Sequence, residues 1–299
     1  MKRLTGKTAL VSGASRGIGA AIARRLAAEG ASVAVTARTL HAADSAIDGS
    51  LDETVSAIRA GGGNAQAFAA DLADAGQDRH ALIATVAEQL GPVDILVNNA
   101  AANFYQPLEA VSPKRFAIAV EVNLHAPLAL TQAVVPGMRA RGAGWILNIS
   151  SVTAALPRHP PSAGTSGPLL YVATKAALER ATAALAEELH PMGIAVNALS
   201  PQAGVRTAAA EQYYQLPDEA VEPVETMAAA ALVLCSGDPA SATGRITRSL
   251  EFLVETGAPV HTLEGDALLD GWQPEDIPAS RLASPEASTD ESSLRAAAD

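Results

Sequence analysis

Thr8-Ala9-Leu10-Val11-Ser12-Gly13-Ala14-Ser15-Arg16-Gly17-Ile18-Gly19 begins as a short apolar run, turns at its three glycines and continues into a segment whose apolar residues Ile18, Ile22 and Leu26 recur at helical spacing. A strand that ends in a glycine turn and feeds a helix aims the helix's unpaired N–H groups at the space beyond the strand end, where an anion is favoured. The spacing, Gly-x3-Gly-x-Gly, differs from the commoner Gly-x-Gly-x2-Gly of dinucleotide folds. Its context, strand before and amphipathic helix after, makes the pyrophosphate of a dinucleotide the expected ligand, with Gly13, Ser15, Arg16, Gly17, Ile18 and Gly19 around it.

Outward from this turn, short apolar runs alternate with longer helical stretches from residue 8 to about residue 200. Strands are predicted at Thr8–Ser12, Ser32–Thr36, Ala65–Ala69, Ile95–Val97, Trp145–Ile149 and Ile194–Leu199. Helices are predicted at Gly17–Glu29, Leu51–Ala60, Asp78–Leu90, Pro113–Arg139, Leu169–Leu189 and near Val224–Cys235. Ser249–Thr256 reads as an extra helix before a last strand near Val260–Leu263. Right-handed crossovers turn this order into an α/β fold, a single Rossmann-like, doubly wound parallel sheet of about seven strands with helices on both faces. Its ligand crevice lies at the carboxyl ends of the strands.

Composition narrows the partners. Of 299 residues, 48% are apolar but only 3% aromatic, so the core must be built from Ala, Val, Leu and Ile. A net charge of -11 argues against nucleic acid and anionic membrane surfaces and leaves a small molecule as the expected partner. The basic Met1–Lys7 leads at once into a strand, without the apolar core of a secretory signal, and no apolar run is expected to span a membrane. The single Cys235, in an apolar helical setting, suits packing and a cytoplasmic location.

Two segments exceed what the scaffold requires, Thr39–Ser50 after the second strand and the proline-rich Leu156–Pro168; both are expected to border the crevice. From about Gln273 the chain is rich in Pro, Ser, Ala, Asp and Glu, so a domain over residues 1–272 and a disordered tail over 273–299 are expected.

An NAD site would place an acid about 20 residues beyond the glycines to grip the ribose hydroxyls, but Arg38 and Thr39 stand there. A cation at that point fits the 2′-phosphate of NADP, and Arg16 could add a second charge. Asp44 and Asp48 in the inserted loop keep NAD as the alternative.

Tyr171 and Lys175 lie one helical turn apart in Tyr171-Val172-Ala173-Thr174-Lys175. A phenol with an ordinary pKa of about 10 acts as an acid or base near neutrality only if its phenolate is stabilised. One positive charge about 5 Å away at an effective dielectric of about 20 contributes roughly 3 kcal/mol, a little over two pKa units.

These residues resemble the short-chain dehydrogenase/reductase family in its common form. The match extends from about residue 5 to residue 210 and joins separated motifs: Ser12-Gly13-x3-Gly17-Ile18-Gly19, Asp71-Leu72, Asn98-Asn99-Ala100-Ala101, Asn123, Ser151 and Tyr171-x3-Lys175. The resemblance implies that Asp71 and Leu72 contact the adenine, that Asn99 and Ala100 pass the cofactor ribose, and that Asn98 braces the sheet. It further implies that Ser151, in preference to Ser150, binds the substrate oxygen. Tyr171 would move the proton, Lys175 would grip the nicotinamide ribose and acidify the tyrosine, and Asn123 would hold a water in the proton path. A homodimer or homotetramer is implied as well.

The chain departs from the pattern at Ser12, at Ala101 and in Pro201-Gln202-Ala203-Gly204-Val205-Arg206-Thr207, where the usual Pro-Gly is Pro201-Gln202; Pro201 is still expected beside the cofactor. The long loop after Arg38 and this altered segment resemble hydroxysteroid-dehydrogenase-like and citronellol dehydrogenase-like members. Tyr213, Tyr214 and Leu216 would line an apolar substrate site, and Arg158 and His159 could meet a polar group on the substrate. The function expected is NADP-dependent interconversion of an alcohol and a ketone or aldehyde on an apolar small molecule, with no metal. A silent dinucleotide-binding sensor and an enoyl thioester reductase are the alternatives; the latter turns on whether Ser151 and Tyr171 converge on one substrate oxygen.

Overall fold

A computed structural model describes residues 2–104, 106–155, 169–207 and 220–282. In chain order the elements are β1 (Thr8–Ser12), α1 (Gly17–Ala28), β2 (Ser32–Ala37), α2 (Leu51–Ala60), β3 (Asn64–Ala69), α3 (Arg79–Leu90), β4 (Val93–Asn98), α4 (Pro113–Val120), α5 (Ala126–Arg141), β5 (Gly144–Ile149) and α6 (Leu169–Leu189). There follow β6 (Ile194–Ser200), β7 (Gly204–Val205), β8 (Val221–Glu222), α7 (Val224–Ser236), β9 (Ile246–Arg248), α8 (Ser249–Thr256) and the short α9 (Ala279–Leu282). Seven strands form one parallel sheet in the order β3-β2-β1-β4-β5-β6-β9. The strand order reverses between β1 and β4, which opens a crevice at their carboxyl ends.

The sheet is buried on both faces because its strands are apolar at successive positions, and successive side chains point opposite ways. Ala9, Val11, Val33, Val35 and Leu147 pack with α1, α2 and α7. Leu10, Ala34, Leu96, Ile146 and Val196 pack with α3, α5 and α6. Helix starts follow from local chemistry: Ser50 caps α2 by accepting from Glu53 N at 3.2 Å, and Asp78 caps α3 by accepting from Ala81 N at 3.0 Å. Cys235 is buried, and desolvation pushes its thiol up to about 12, so it packs and does not react.

Three expectations are corrected. The helix expected to run unbroken over Pro113–Arg139 is interrupted by a π turn at Glu121–His125, where Ala126 N reaches back to the Glu121 carbonyl. The continuous helical stretch Pro113–Arg141 is also long and apolar enough, by length and composition, to cross a membrane; in this fold Ala126, Leu130, Val134 and Met138 are its core-facing residues. The last strand is not Val260–Leu263 but Ile246–Arg248, ahead of α8; it pairs with Ala198–Ser200, and three residues are too short for a periodic signal. Val260 is fully buried, as that reading required, but its segment doubles back on itself through an isolated bridge between His261 and Leu268. Finally, residues 273–282 are built into the domain: Gln273 Nε2 donates to the carbonyls of Val260 and Leu269 at 2.8 and 2.9 Å, and Ile277 is buried. Residues 283–299, the loop Leu156–Pro168 with Arg158 and His159, and Tyr213, Tyr214 and Leu216 lie outside the described residues.

Candidate active site

The glycine turn is held against the end of β4. Ser12 Oγ accepts from the backbone N–H groups of Asn99 and Ala100 at 3.0 and 3.2 Å, and Asn99 Nδ2 donates to the carbonyls of Ser12 and Gly13 at 3.0 and 3.1 Å. The substitution of Ser at position 12 therefore keeps the backbone path, because its hydroxyl ties the two strand ends. Gly13 sits at φ +65°, and a Cβ there would lie 2.8 Å from the Ala100 Cα; a Cβ on Gly19 would lie 2.4 Å from Asn99 Nδ2 and 2.5 Å from the Gly13 carbonyl oxygen. The Arg16 cap position offers no side-chain acceptor to the first N–H groups of α1, so these remain available to an anion. Ser15 is buried beside them, Ile18 packs against the core, and the Thr207 methyl rests over Gly17, bringing the segment after β6 across the mouth of the turn.

At the end of β2, Arg38 is 73% exposed on its side chain, with its Nε 3.9 Å from Asp71 Oδ1. Arg16 differs from Arg38 in being tied down: its Nη2 donates to the Gly49 carbonyl at 2.6 Å, so the inserted loop is folded over it. Burial, then repulsion from Arg38, lowers the Arg16 pKa, while Asp48 and Glu53 act in the opposite direction. Asp44 accepts from His41 N within its own loop at 2.8 Å. The Thr39 carbonyl accepts from Leu51 N at 3.0 Å, which closes the loop at its base. Asp71 Oδ1 also accepts from Ala73 N at 3.0 Å, next to the buried Leu72.

Tyr171 and Lys175 share a face of α6: Lys175 Nζ lies 5.6 Å from the centre of the Tyr171 ring. Lys175 is 2% exposed and donates to the Ile149 carbonyl at 2.6 Å. Desolvation brings its pKa down to about 8, and the nearby Glu179 carboxylate works against that fall. The following strand-end residues divide their tasks. Ser150 is buried and donates to Glu179 Oε1 at 2.6 Å, whereas Ser151 is partly exposed, with its Oγ 2.9 Å from Thr153 Oγ1 and accepting from Thr153 N.

Asn123 lies in the π turn and is fully buried. Its Oδ1 accepts from Ala102 N at 2.7 Å, while Nδ2 donates to the Ala102 carbonyl at 2.8 Å and to Thr174 Oγ1 at 3.0 Å. The side chain is thus committed to joining the loop after β4 to α6. Pro127, four residues on, has no N–H to offer the Asn123 carbonyl. Asn98 Nδ2 donates to Asn148 Oδ1 at 2.9 Å across β4 and β5, a buried brace that Asn148 extends to Thr182 on α6 at 2.9 Å.

Two carboxylates escaped the sequence reading. Glu179 repeats the four-residue spacing of Tyr171 and Lys175, a signal available from helix geometry alone. Glu222 is 1% exposed; its Oε1 accepts from Gln202 N and Ala203 N at 2.6 and 3.0 Å, and its Oε2 from Ser249 Oγ at 2.6 Å and from Thr226 Oγ1. This acid holds the segment that begins at Pro201, in place of the missing Pro-Gly, and no sequence signal marks it because its donors come from three separate stretches of chain.

A Rossmann-like sheet with a glycine turn, an exposed arginine after β2 and a Tyr–Lys pair on α6 defines a nucleotide-dependent oxidoreductase class. The family model for short chain dehydrogenase matches residues 7–216. The short-chain reductase protein NovJ of Streptomyces niveus is 39% identical over 193 residues, covering 64% of this chain and 67% of that protein. L-xylulose reductase of Bos taurus is 37% identical over 200 residues, covering 67% and 72%. A solved 3-oxoacyl (acyl-carrier-protein) reductase from Agrobacterium tumefaciens with NADP bound matches at a TM-score of 0.69 and 34% identity, covering 82% and 93%. Several other matched structures also hold NADP or NADPH. The chain belongs to the short-chain dehydrogenase/reductase family and is an NAD(P)-dependent oxidoreductase acting on CH–OH groups.

Proposed function

We propose that this protein interconverts an alcohol and a ketone or aldehyde on an apolar small molecule with NADP, and that Tyr171 moves the proton. The observation that carries the reading is the buried Lys175 ammonium, hydrogen-bonded to the last residue of β5 and facing the Tyr171 ring at 5.6 Å. Burying a cation is costly, and a module that merely binds nucleotide has no use for one at this point.

The residues present fit the cofactor. The glycine turn leaves a cradle that a Cβ on Gly13 or Gly19 would fill. Arg16 and Arg38 repel one another, a conflict that a 2′-phosphate between them would relieve. Asp71, Leu72, Asn99 and Ala100 would flank the adenosine half, and Thr39 the ribose phosphate; Pro201, held in place through Glu222, would flank the nicotinamide half. When bound, NADP supplies or accepts the hydride. The Ser151 hydroxyl would donate to the substrate oxygen, Tyr171 would transfer its proton to that oxygen, and Lys175 would stabilise the phenolate left behind. The Asn123 backbone carbonyl would hold the water that returns the proton. Family membership also motivates a homodimer or homotetramer, measurable by light scattering, and the lone buried thiol suits a cytoplasmic location.

Following NADPH and NADH oxidation against aldehydes, ketones and enoyl thioesters tests this reading. Tyr171→Phe should lower kcat by about 10²-fold or more while leaving nucleotide binding intact; wild-type turnover in that variant would overturn the assignment. Arg38→Asp should swing preference toward NADH, and unchanged selectivity would remove Arg38 from the phosphate site.

A further inference from the structure

We infer that Glu179 is a positioning residue of this site: held by Ser150, its carboxylate supplies the counter-charge behind Lys175 that keeps the ammonium protonated while Tyr171 works. The inference rests on the assignment of Tyr171 and Lys175 made above.

Two consecutive residues where β5 ends meet two side chains one turn apart on α6. The Ile149 carbonyl accepts from Lys175 Nζ and the Ser150 hydroxyl donates to Glu179 Oε1, each at 2.6 Å. Tyr171, Lys175 and Glu179 are spaced by four residues, so they lie along one helix face. Glu179 therefore stands one turn beyond Lys175, on the side away from Tyr171, and its Oε1 is held there by Ser150. The charged groups that act on it are Arg248 from β9 and Lys175 from its own helix, and the Ser150 hydroxyl donates to it. Burial raises the Glu179 pKa above its ordinary value, and Ser150, Arg248 and Lys175 each pull it back. Without an anion behind it, a lysine as buried as Lys175 would lose its proton more readily, and a neutral amine cannot stabilise a phenolate.

The lysines of the chain are Lys2, Lys7, Lys114 and Lys175, few enough for the Lys175 side chain to be followed by NMR in protein labelled at lysine ¹³Cε. In Glu179→Gln, which keeps an oxygen acceptor for Ser150 but removes the charge, the Lys175 midpoint should fall by roughly one pH unit. The alkaline limb of kcat for carbonyl reduction should move to lower pH with it. Glu179→Asp, which keeps the charge, should return the midpoint most of the way. An unchanged midpoint in Glu179→Gln, or equal shifts in the Gln and Asp variants, would overturn the inference. Should Glu179→Gln fail to fold, the unmodified protein still decides: the Lys175 signal should show a second, smaller inflection above pH 4.5, where Glu179 protonates, and a featureless acid limb would count against the pair. A shifted midpoint in a protein that reduces no carbonyl would retain the counter-charge and discard the proposed function.

Discussion

Lys175 shows what the site costs the fold. Its pKa of about 8, against an ordinary 10.5, corresponds to about 3 kcal/mol spent on burying the ammonium. That cost is present in full below about pH 8, where folded and unfolded chains both carry the proton. It fades as pH rises toward 10.5, because the unfolded chain then holds more protons than the folded one. Lys175→Met should therefore remove turnover yet raise stability by about 1–3 kcal/mol at pH 7, the lower values reflecting the lost donor to Ile149. Urea unfolding at pH 7 and pH 9.5 checks this: the advantage should shrink at the higher pH, and a destabilised Met variant at pH 7 would contradict the argument. Tyr171 and Lys175 were legible because their spacing is local. The engagement of Arg16 by the Gly49 carbonyl was not, since those residues meet only when the inserted loop folds over the first helix.

At the level of elements, the glycine turn and the long helix make contrasting cases. A Cβ on Gly19 would collide with Asn99 Nδ2 and the Gly13 carbonyl, so Gly19→Ala should cost about 1–3 kcal/mol and weaken nucleotide binding, although alanine is the better helix former. Gly137 in α5 meets only Arg141 Nη1, at 3.3 Å; that guanidinium is held by the Val93 carbonyl and Asp94 but is 31% exposed and need give by only a few tenths of an ångström, so Gly137→Ala should stabilise by up to about 0.5–1 kcal/mol. Thermal unfolding of the pair gives opposite signs if the contacts decide, and the same sign if helix propensity does. The boundaries of α2 and α6 could be read from the sequence, but the π turn around Asn123 could not. A single extra residue in a helix leaves the apolar pattern almost unchanged, and Pro127 was the only local hint.

For the whole molecule, the chain after α8 completes the domain. Val260 is fully buried, Leu263 packs with Ala21 of α1 and Ala228 of α7, and Arg24 pairs with Glu264. Arg281 Nη1 donates to the Val221 carbonyl at 2.6 Å, beside the Glu222 anchor of the segment after β6. A chain ended at Gly257 would expose α1 and α7 and should lose several kcal/mol, since Val260, Leu263 and Ile277 each contribute about 1.5–3 kcal/mol by burial. Pocket-side activity should fall more steeply than helix content in circular dichroism; unchanged stability and turnover would show that this segment is dispensable.

From sequence alone came the parallel α/β sheet, the glycine turn, the Tyr–Lys pair and the arginine after the second strand, because each is written in periodicity or spacing within a short window. Tertiary structure alone decided that Ser150 turns to Glu179, that the Asn123 side chain serves the scaffold, that Glu222 carries the strand-end segment and that the seventh strand is Ile246–Arg248. Each of those depends on partners tens of residues away along the chain. A hydrogen bond or a strand pairing of that kind leaves no local pattern until the sheet has brought its two halves together.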